Sequence, residues 1–239
     1  MSTSAATKTA ACVNCGQPYT YTPVFLWGEE VFNNGLCDPC EQERLANARR
    51  EHEHNERMKR LNTWDHLDLP LKDSNPALYP NPRCHSVVNW KFGPKAPFCH
   101  GPSGQGKTRS VVQLCRRLWV DEAREFKFLP WHQWQSELDK AHRYGGSGMA
   151  REIQAVQRWP FLVIDDVGKG KPTEHVVSAF FTVIDYRSSR GMPTAITTKY
   201  ALSASQGSPF EQRLALGSQD AARDVCRRLC ETSINSPFN

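Results

Sequence analysis

Residues 101–108 read Gly-Pro-Ser-Gly-Gln-Gly-Lys-Thr. A glycine, four residues, then Gly-Lys-Thr is the spacing of a phosphate-binding loop. The chemistry asks for that spacing. Gly101, Gly104 and Gly106 let backbone N–H groups turn inward and approach phosphate oxygens, with Pro102, Ser103 and Gln105 filling the positions between them. A helix opening near Lys107 would aim its positive end at the same anion. Lys107 can reach the β- and γ-phosphates, and Thr108 can bind Mg²⁺. ATP and Mg²⁺ are therefore the expected ligands.

A second stretch supplies the acids that hydrolysis needs. "FLVIDD", residues 161–166, is a continuous apolar run ending in Asp165 and Asp166. Such a run suits a strand buried on both faces, and ligands of open parallel sheets sit at the C-terminal edge of the strands. Asp165 is expected to hold Mg²⁺ directly or through water. Asp166 is expected to orient or deprotonate the attacking water. "AITTKY", residues 195–200, puts Thr197 and Thr198 at the end of another strand, where a hydroxyl can touch the γ-phosphate or the water. β-branched residues filling a strand are the plainer account of that pair.

Four cysteines carry a different chemistry. Cys12-x-x-Cys15 and Cys37-x-x-Cys40 are two knuckles, each presenting two thiols on one side of a small loop. Together they make a closed S₄ site, the usual choice of a structural zinc centre, with no open position for catalysis. The residues between them are β-formers broken by Gly and Asn, as a zinc ribbon needs. A segment of about 30 residues buries too little surface to fold alone, so Zn²⁺ binding supplies the folding energy. Tyr19, Tyr21, Phe25 and Trp27 can form the ribbon's core or stack on bases.

The elements that must position these groups follow from the pattern around them. Residues 1–10 are small and polar and read as a disordered tail, with the ribbon at 11–40. Residues 41–60 are almost all charged, without Gly or Pro, and suit a solvated helical linker. Residues 61–94 are proline-rich and read as an irregular entry segment. From residue 95 to 239, short apolar runs alternate with helical patterns: strands at 95–99, 126–129, 161–165 and 193–198, helices at 107–123, 131–144, 149–159 and 173–190. A further short helix at 222–231 carries Arg227 and Arg228 on an exposed face. The alternation predicts an α/β fold, a parallel sheet with helices on both faces. Lys107 and Asp165 are far enough apart for an inserted strand, the arrangement of ATP-driven machines.

Taken together, "HGPSGQGKTR", "FLVIDDVGK", "AITTKY" and "DVCRRL" resemble the AAA+ ATPases of the DnaC-type helicase-loader group, which also holds the IstB-like transposition helpers. The resemblance covers residues 60–239. It implies that these stretches are Walker A, Walker B, sensor 1 and the arginine-finger box of a lidless AAA+ domain, with Thr198 as the sensor residue. Arg228 is then the finger that completes a neighbour's site, with Arg227 as its alternative and Arg213 of "FEQRL" a weaker one. It also implies a homo-oligomer that binds single-stranded DNA and delivers a replicative helicase; the alternatives are a transposition helper that assembles on duplex DNA and recruits a transposase, and a nucleotide-dependent assembly switch with slow hydrolysis. Two positions depart from the family pattern: Asp166 stands where Glu is usual, and Lys199 where sensor 1 often has Asn.

The formal net charge of +5 permits a nucleic-acid partner without requiring one. The opening residues lack the apolar run of a signal peptide, and no stretch is apolar enough to span a bilayer. A cytoplasmic protein with reduced cysteines and no membrane partner is the expectation.

Overall fold

The computed structural model of the chain describes residues 7–26, 29–31, 35–72, 82–145 and 147–238. The chain divides into two compact units, residues 1–59 and 60–239. The boundary falls within α1 (Asp38–Asp65). That helix spans the whole charged stretch read from the sequence and extends beyond it at both ends.

The first unit opens with two antiparallel pairs. β1 (Lys8–Ala11) pairs with β2 (Pro18–Tyr21), and β3 (Val24–Leu26) with β4 (Glu29–Val31). α1 follows directly. Most of its length, residues 41–60, is charged, and neighbouring turns pair those charges, while Trp64 near its end is buried. Arg44 meets Glu41 at 2.8 Å, and Lys59 meets Glu56 at 2.7 Å.

The second unit is a five-stranded, all-parallel sheet in the order β6-β7-β8-β5-β9. Its strands are β5 (Ala96–His100), β6 (Phe126–Pro130), β7 (Phe161–Val167), β8 (Thr194–Thr198) and β9 (Ser233–Pro237). The four strands read from the sequence are present, and in the sheet β8 lies between the phosphate-loop strand β5 and β7, so those two are not neighbours. β9 was not anticipated. It lies along the outer edge of β5, where Ser, Asn and Pro are tolerated.

Alternation along the strands divides the core in two. Leu162 and Ile164 face one side, with α4 (Trp131–Tyr144), α6 (Glu174–Ser188) and α8 (Gln219–Thr232). Phe161 and Val163 face the other, with α3 (Lys107–Glu122) and α2 (Pro82–Val88). Helices therefore cover both faces. The remaining helices are α5 (Ser147–Gln157) and the six-residue α7 (Pro209–Leu214). The proline-rich segment is helical at both of its described ends: α1 reaches Asp65, and α2 starts on Pro82, a residue well suited to a first helical turn.

Arg187 locks the sheet's N-terminal end. It is fully buried and donates to the carbonyls of Gln157, Trp159 and Pro193 and to Thr194 Oγ1. Burial lowers its pKa to about 10, so the guanidinium stays charged at neutral pH.

Candidate functional site

The phosphate loop joins β5 to α3. Gly101 (φ 137°), Gly104 (φ 83°) and Gly106 (φ 89°) all adopt conformations that side chains resist. Gly101 has a second reason to be glycine. A Cβ there would lie 2.1 Å from the carbonyl oxygen of Phe238, because the chain leaving β9 crosses the loop. Phe238 N–H donates to the His100 carbonyl at 2.7 Å, fixing that crossing.

Lys107 opens α3 and is 8% exposed. Its Nζ donates to the carbonyls of Gly101 (2.8 Å) and Pro102 (2.6 Å), so the ammonium sits over the mouth of the loop. Burial pulls its pKa below the usual lysine value, and the acids nearby oppose that shift. Together with Ser103, Thr108, Arg109 and Asp166 it borders a cavity of about 270 Å³.

Asp165 is the hub of the site. Thr108 Oγ1 donates to its Oδ1 at 2.8 Å, and Thr197 Oγ1 donates to the same oxygen at 2.6 Å. Burial raises its pKa, and those two hydroxyls hold the rise in check. The Thr108–Asp165 pair is a fitting Mg²⁺ site: two oxygen ligands already in contact beside a phosphate-binding loop.

Asp166 is presented differently. The β7–β8 register slips between Ile164 and Val167, a bulge that spends three β7 residues against two of β8. Asp166 lies in that bulge with φ 59°, in the left-handed region. Its backbone N–H donates to Thr197 Oγ1 at 2.8 Å, and its carboxylate meets Lys169 Nζ at 3.4 Å. Asp tolerates left-handed backbone better than the longer, non-turn-forming Glu, which gives the departure at this position a physical reason.

The bulge also corrects the assignment of Thr198. That side chain is fully buried, donates to the Val167 carbonyl at 2.7 Å and accepts from Tyr200 N–H. It faces away from the cavity and has no hydroxyl proton to offer there. Thr197 is the residue brought to both acids. Sequence named the two threonines together; only the strand's pleat separates them.

The arginines fall in three settings. Arg227 is half exposed and pairs on its own helix with Asp224 and Glu231. Arg228 is less exposed than expected, because it reaches α6 and meets Asp185 at 2.7 Å. Arg213 is turned inward, donating to the carbonyls of Gly168 and Gly170 at 2.7 Å each.

In the other unit, Cys12, Cys15, Cys37 and Cys40 have all four sulfurs within 4.8 Å of one another. A tetrahedral S₄ site with Zn–S of ~2.3 Å has its sulfurs about 3.8 Å apart, so the cluster fits zinc. The first knuckle turns on Gly16 (φ 72°), and the second straddles the start of α1. The backbone N–H of Cys37 donates to Cys12 Sγ at 3.3 Å and leads the causes that lower that thiol to about 6. Asn14 donates to Cys40, yet the surrounding thiols push Cys40 up to about 12. A cluster in which Cys12 ionises readily while Cys37 and Cys40 resist is what a dication resolves. Tyr19 packs against the cluster. Trp27 and the side chain of Phe25 lie outside the described residues. Among the described residues, no other group of His, Cys, Asp and Glu is arranged to hold a metal, and no helix is long and apolar enough to cross a membrane.

No family model and no curated protein matches the chain. Solved structures do. The DnaC helicase loader superposes with a TM-score of 0.51 at 21% identity, covering 74% of this chain and 96% of that one. DnaI superposes with a TM-score of 0.54 at 16% identity, covering 72% and 92%. Over about three quarters of its length the chain thus shares its fold with these two proteins.

Proposed function

We propose that the protein is an ATP-hydrolysing AAA+ helicase loader of DNA replication. One observation carries the reading. The phosphate loop, Thr108, Asp165, Asp166 and Thr197 converge at the C-terminal ends of β5, β7 and β8, in a fold that spans nearly the whole of a helicase loader. In this reading the loop amides and Lys107 bind the triphosphate. Thr108 and Asp165 would hold Mg²⁺, which supplies charge neutralisation at the β- and γ-oxygens. Asp166 orients the attacking water, Thr197 couples the two acids, and Arg228 completes the site of a neighbouring copy once it leaves Asp185. The four cysteines hold Zn²⁺ and keep the ribbon folded as a docking module for the partner. The AAA+ unit engages single-stranded DNA and a replicative helicase.

The test is turnover of ATP with and without DNA, paired with capture of a helicase from the native host in ATP. Stimulation by single strands over duplex, and capture that Lys107→Ala abolishes, are the expected results. Capture of a transposase with stimulation by duplex would replace the loader reading with that of a transposition helper. Undiminished ATP binding by Lys107→Ala would overturn the nucleotide site itself.

A further inference from the structure

The segment that closes β7 and leaves it, residues 166–171, carries Asp166 and is built to be loose. Asp166, Gly168 and Gly170 are all left-handed, with φ of 59°, 86° and 75°. Two glycines in such a run leave the backbone with more freedom than any other pair of residues. Yet its carbonyls are held. Val167 accepts from Thr198 Oγ1 at 2.7 Å, Lys171 from Gln135 Nε2 at 2.9 Å, and Gly168 and Gly170 both from Arg213 at 2.7 Å.

Arg213 is itself well anchored. It sits near the end of α7, whose start is closed by Ser208 accepting from Glu211 N–H and Glu211 accepting from Gly207 N–H. Phe210 of the same helix packs edge-on against Phe98 of β5, centroids 5.1 Å apart. β5 is the strand that ends in the phosphate loop. The stem of Arg213 is pressed onto the segment: a Cβ on Gly168 would lie 2.9 Å from Arg213 Cγ and 3.0 Å from the Tyr200 ring.

We propose that Arg213 is a positioning residue that acts within its own subunit, indexing the Asp166 segment to the phosphate-loop strand so that the carboxylate stays aligned with the terminal phosphate. The planar fork of a guanidinium suits this task, since Nε and Nη2 reach two carbonyls two residues apart at once. A lysine ammonium is a point charge and holds one geometry less firmly. With both edges of the fork engaged in cis, Arg213 has no role as a finger toward a neighbour.

This inference rests on the ATPase reading above, and its test separates the two. Turnover and ATP affinity are measured on the full chain and on Arg213→Ala and Arg213→Lys. A displacement of the acid by about 1 Å costs on the order of 100-fold, so kcat of Arg213→Ala should fall about 10- to 100-fold with the Kd for ATP within about twofold. Arg213→Lys should fall between the two. Arg213→Ala is then mixed with Asp166→Asn, which keeps Arg213 and lacks the acid. A cis role predicts no recovery on mixing. Recovery would mean that Arg213 acts across a subunit boundary and would overturn the proposal, as would unchanged kcat or loss of ATP binding in both variants. If the unmodified chain turns over no ATP, the ATPase reading fails and this one with it.

Discussion

Thr197→Val removes one hydroxyl and almost no volume, and the structure says what that hydroxyl does. It is 1% exposed, donates to Asp165 at 2.6 Å and accepts from Asp166 N–H at 2.8 Å. Valine leaves the amide without a partner, and it takes from a buried carboxylate one of its two side-chain donors. Orphaning a buried donor costs about 1–3 kcal/mol, and a hydrogen bond to a charged group is worth about 1.5–3 kcal/mol. The two losses share one site and do not add fully, so about 2–4 kcal/mol is expected. With a urea slope of about 2 kcal/mol/M, the unfolding midpoint should drop by about 1–2 M. Fluorescence of the buried Trp131 and Trp134 reports the second unit, where both reside. Thr197→Ser keeps the hydroxyl and should recover most of the loss. Mg²⁺-dependent ATP binding should weaken in Thr197→Val but not in Thr198→Val, whose hydroxyl serves only the backbone of the bulge and the following turn. A Thr197→Val midpoint within about 0.2 M of the parent, or equal effects of both substitutions on Mg²⁺, would refute the pleat argument.

Other outcomes follow from the same geometry. Burial raises the pKa of Asp165, and a ligating carboxylate must be ionised. Mg²⁺ affinity should therefore begin to fall, as pH is lowered, at a higher pH than the ordinary Asp value of about 3.9 allows. Calorimetric titration of Mg²⁺ over a series of pH values should place that fall above the pH at which an ordinary surface acid loses the metal, and a fall at the ordinary position would refute the argument. Removing zinc with a chelator should free four reactive thiols and collapse the ribbon, read by metal content and amide exchange in residues 8–40; Cys12→Ser should bind no zinc. Arg187→Met leaves three backbone carbonyls without their donor, each worth about 1–3 kcal/mol, against the relief of no longer burying a charge, and should destabilise the second unit by about 2–4 kcal/mol net, measured by urea unfolding.

Much of the site was legible because it is local. The phosphate loop and the cysteine pairs each fit within a few residues, and their spacing is set by backbone turns close by. Asp165 and Asp166 were legible as the end of an apolar strand. What escaped depends on pairing across the fold. β9 is a short edge strand of Ser, Ile, Asn and Pro, with no periodicity of its own; it is a strand because β5 is beside it. Thr197 and Thr198 are adjacent in sequence, and a bulge on the neighbouring strand decides which one meets the acids. Arg213 reads only as a weaker finger candidate until the carbonyls of Gly168 and Gly170 are in place. Arg228 was read as exposed because its partner, Asp185, lies on another helix.

The pairing of β5 also sets when the nucleotide site can exist during synthesis. Its neighbours are residues 194–198 on one side and 233–237 on the other. A ribosome that has made the phosphate loop has made neither of them. Until residue 198 emerges, the loop hangs from an unpaired strand, and until Phe238 emerges, nothing lies across Gly101. Contacts this distant in sequence close late. A growing chain therefore carries the phosphate-loop motif long before the loop can take its folded shape, and the pairing of β9 with β5 is the step that completes it.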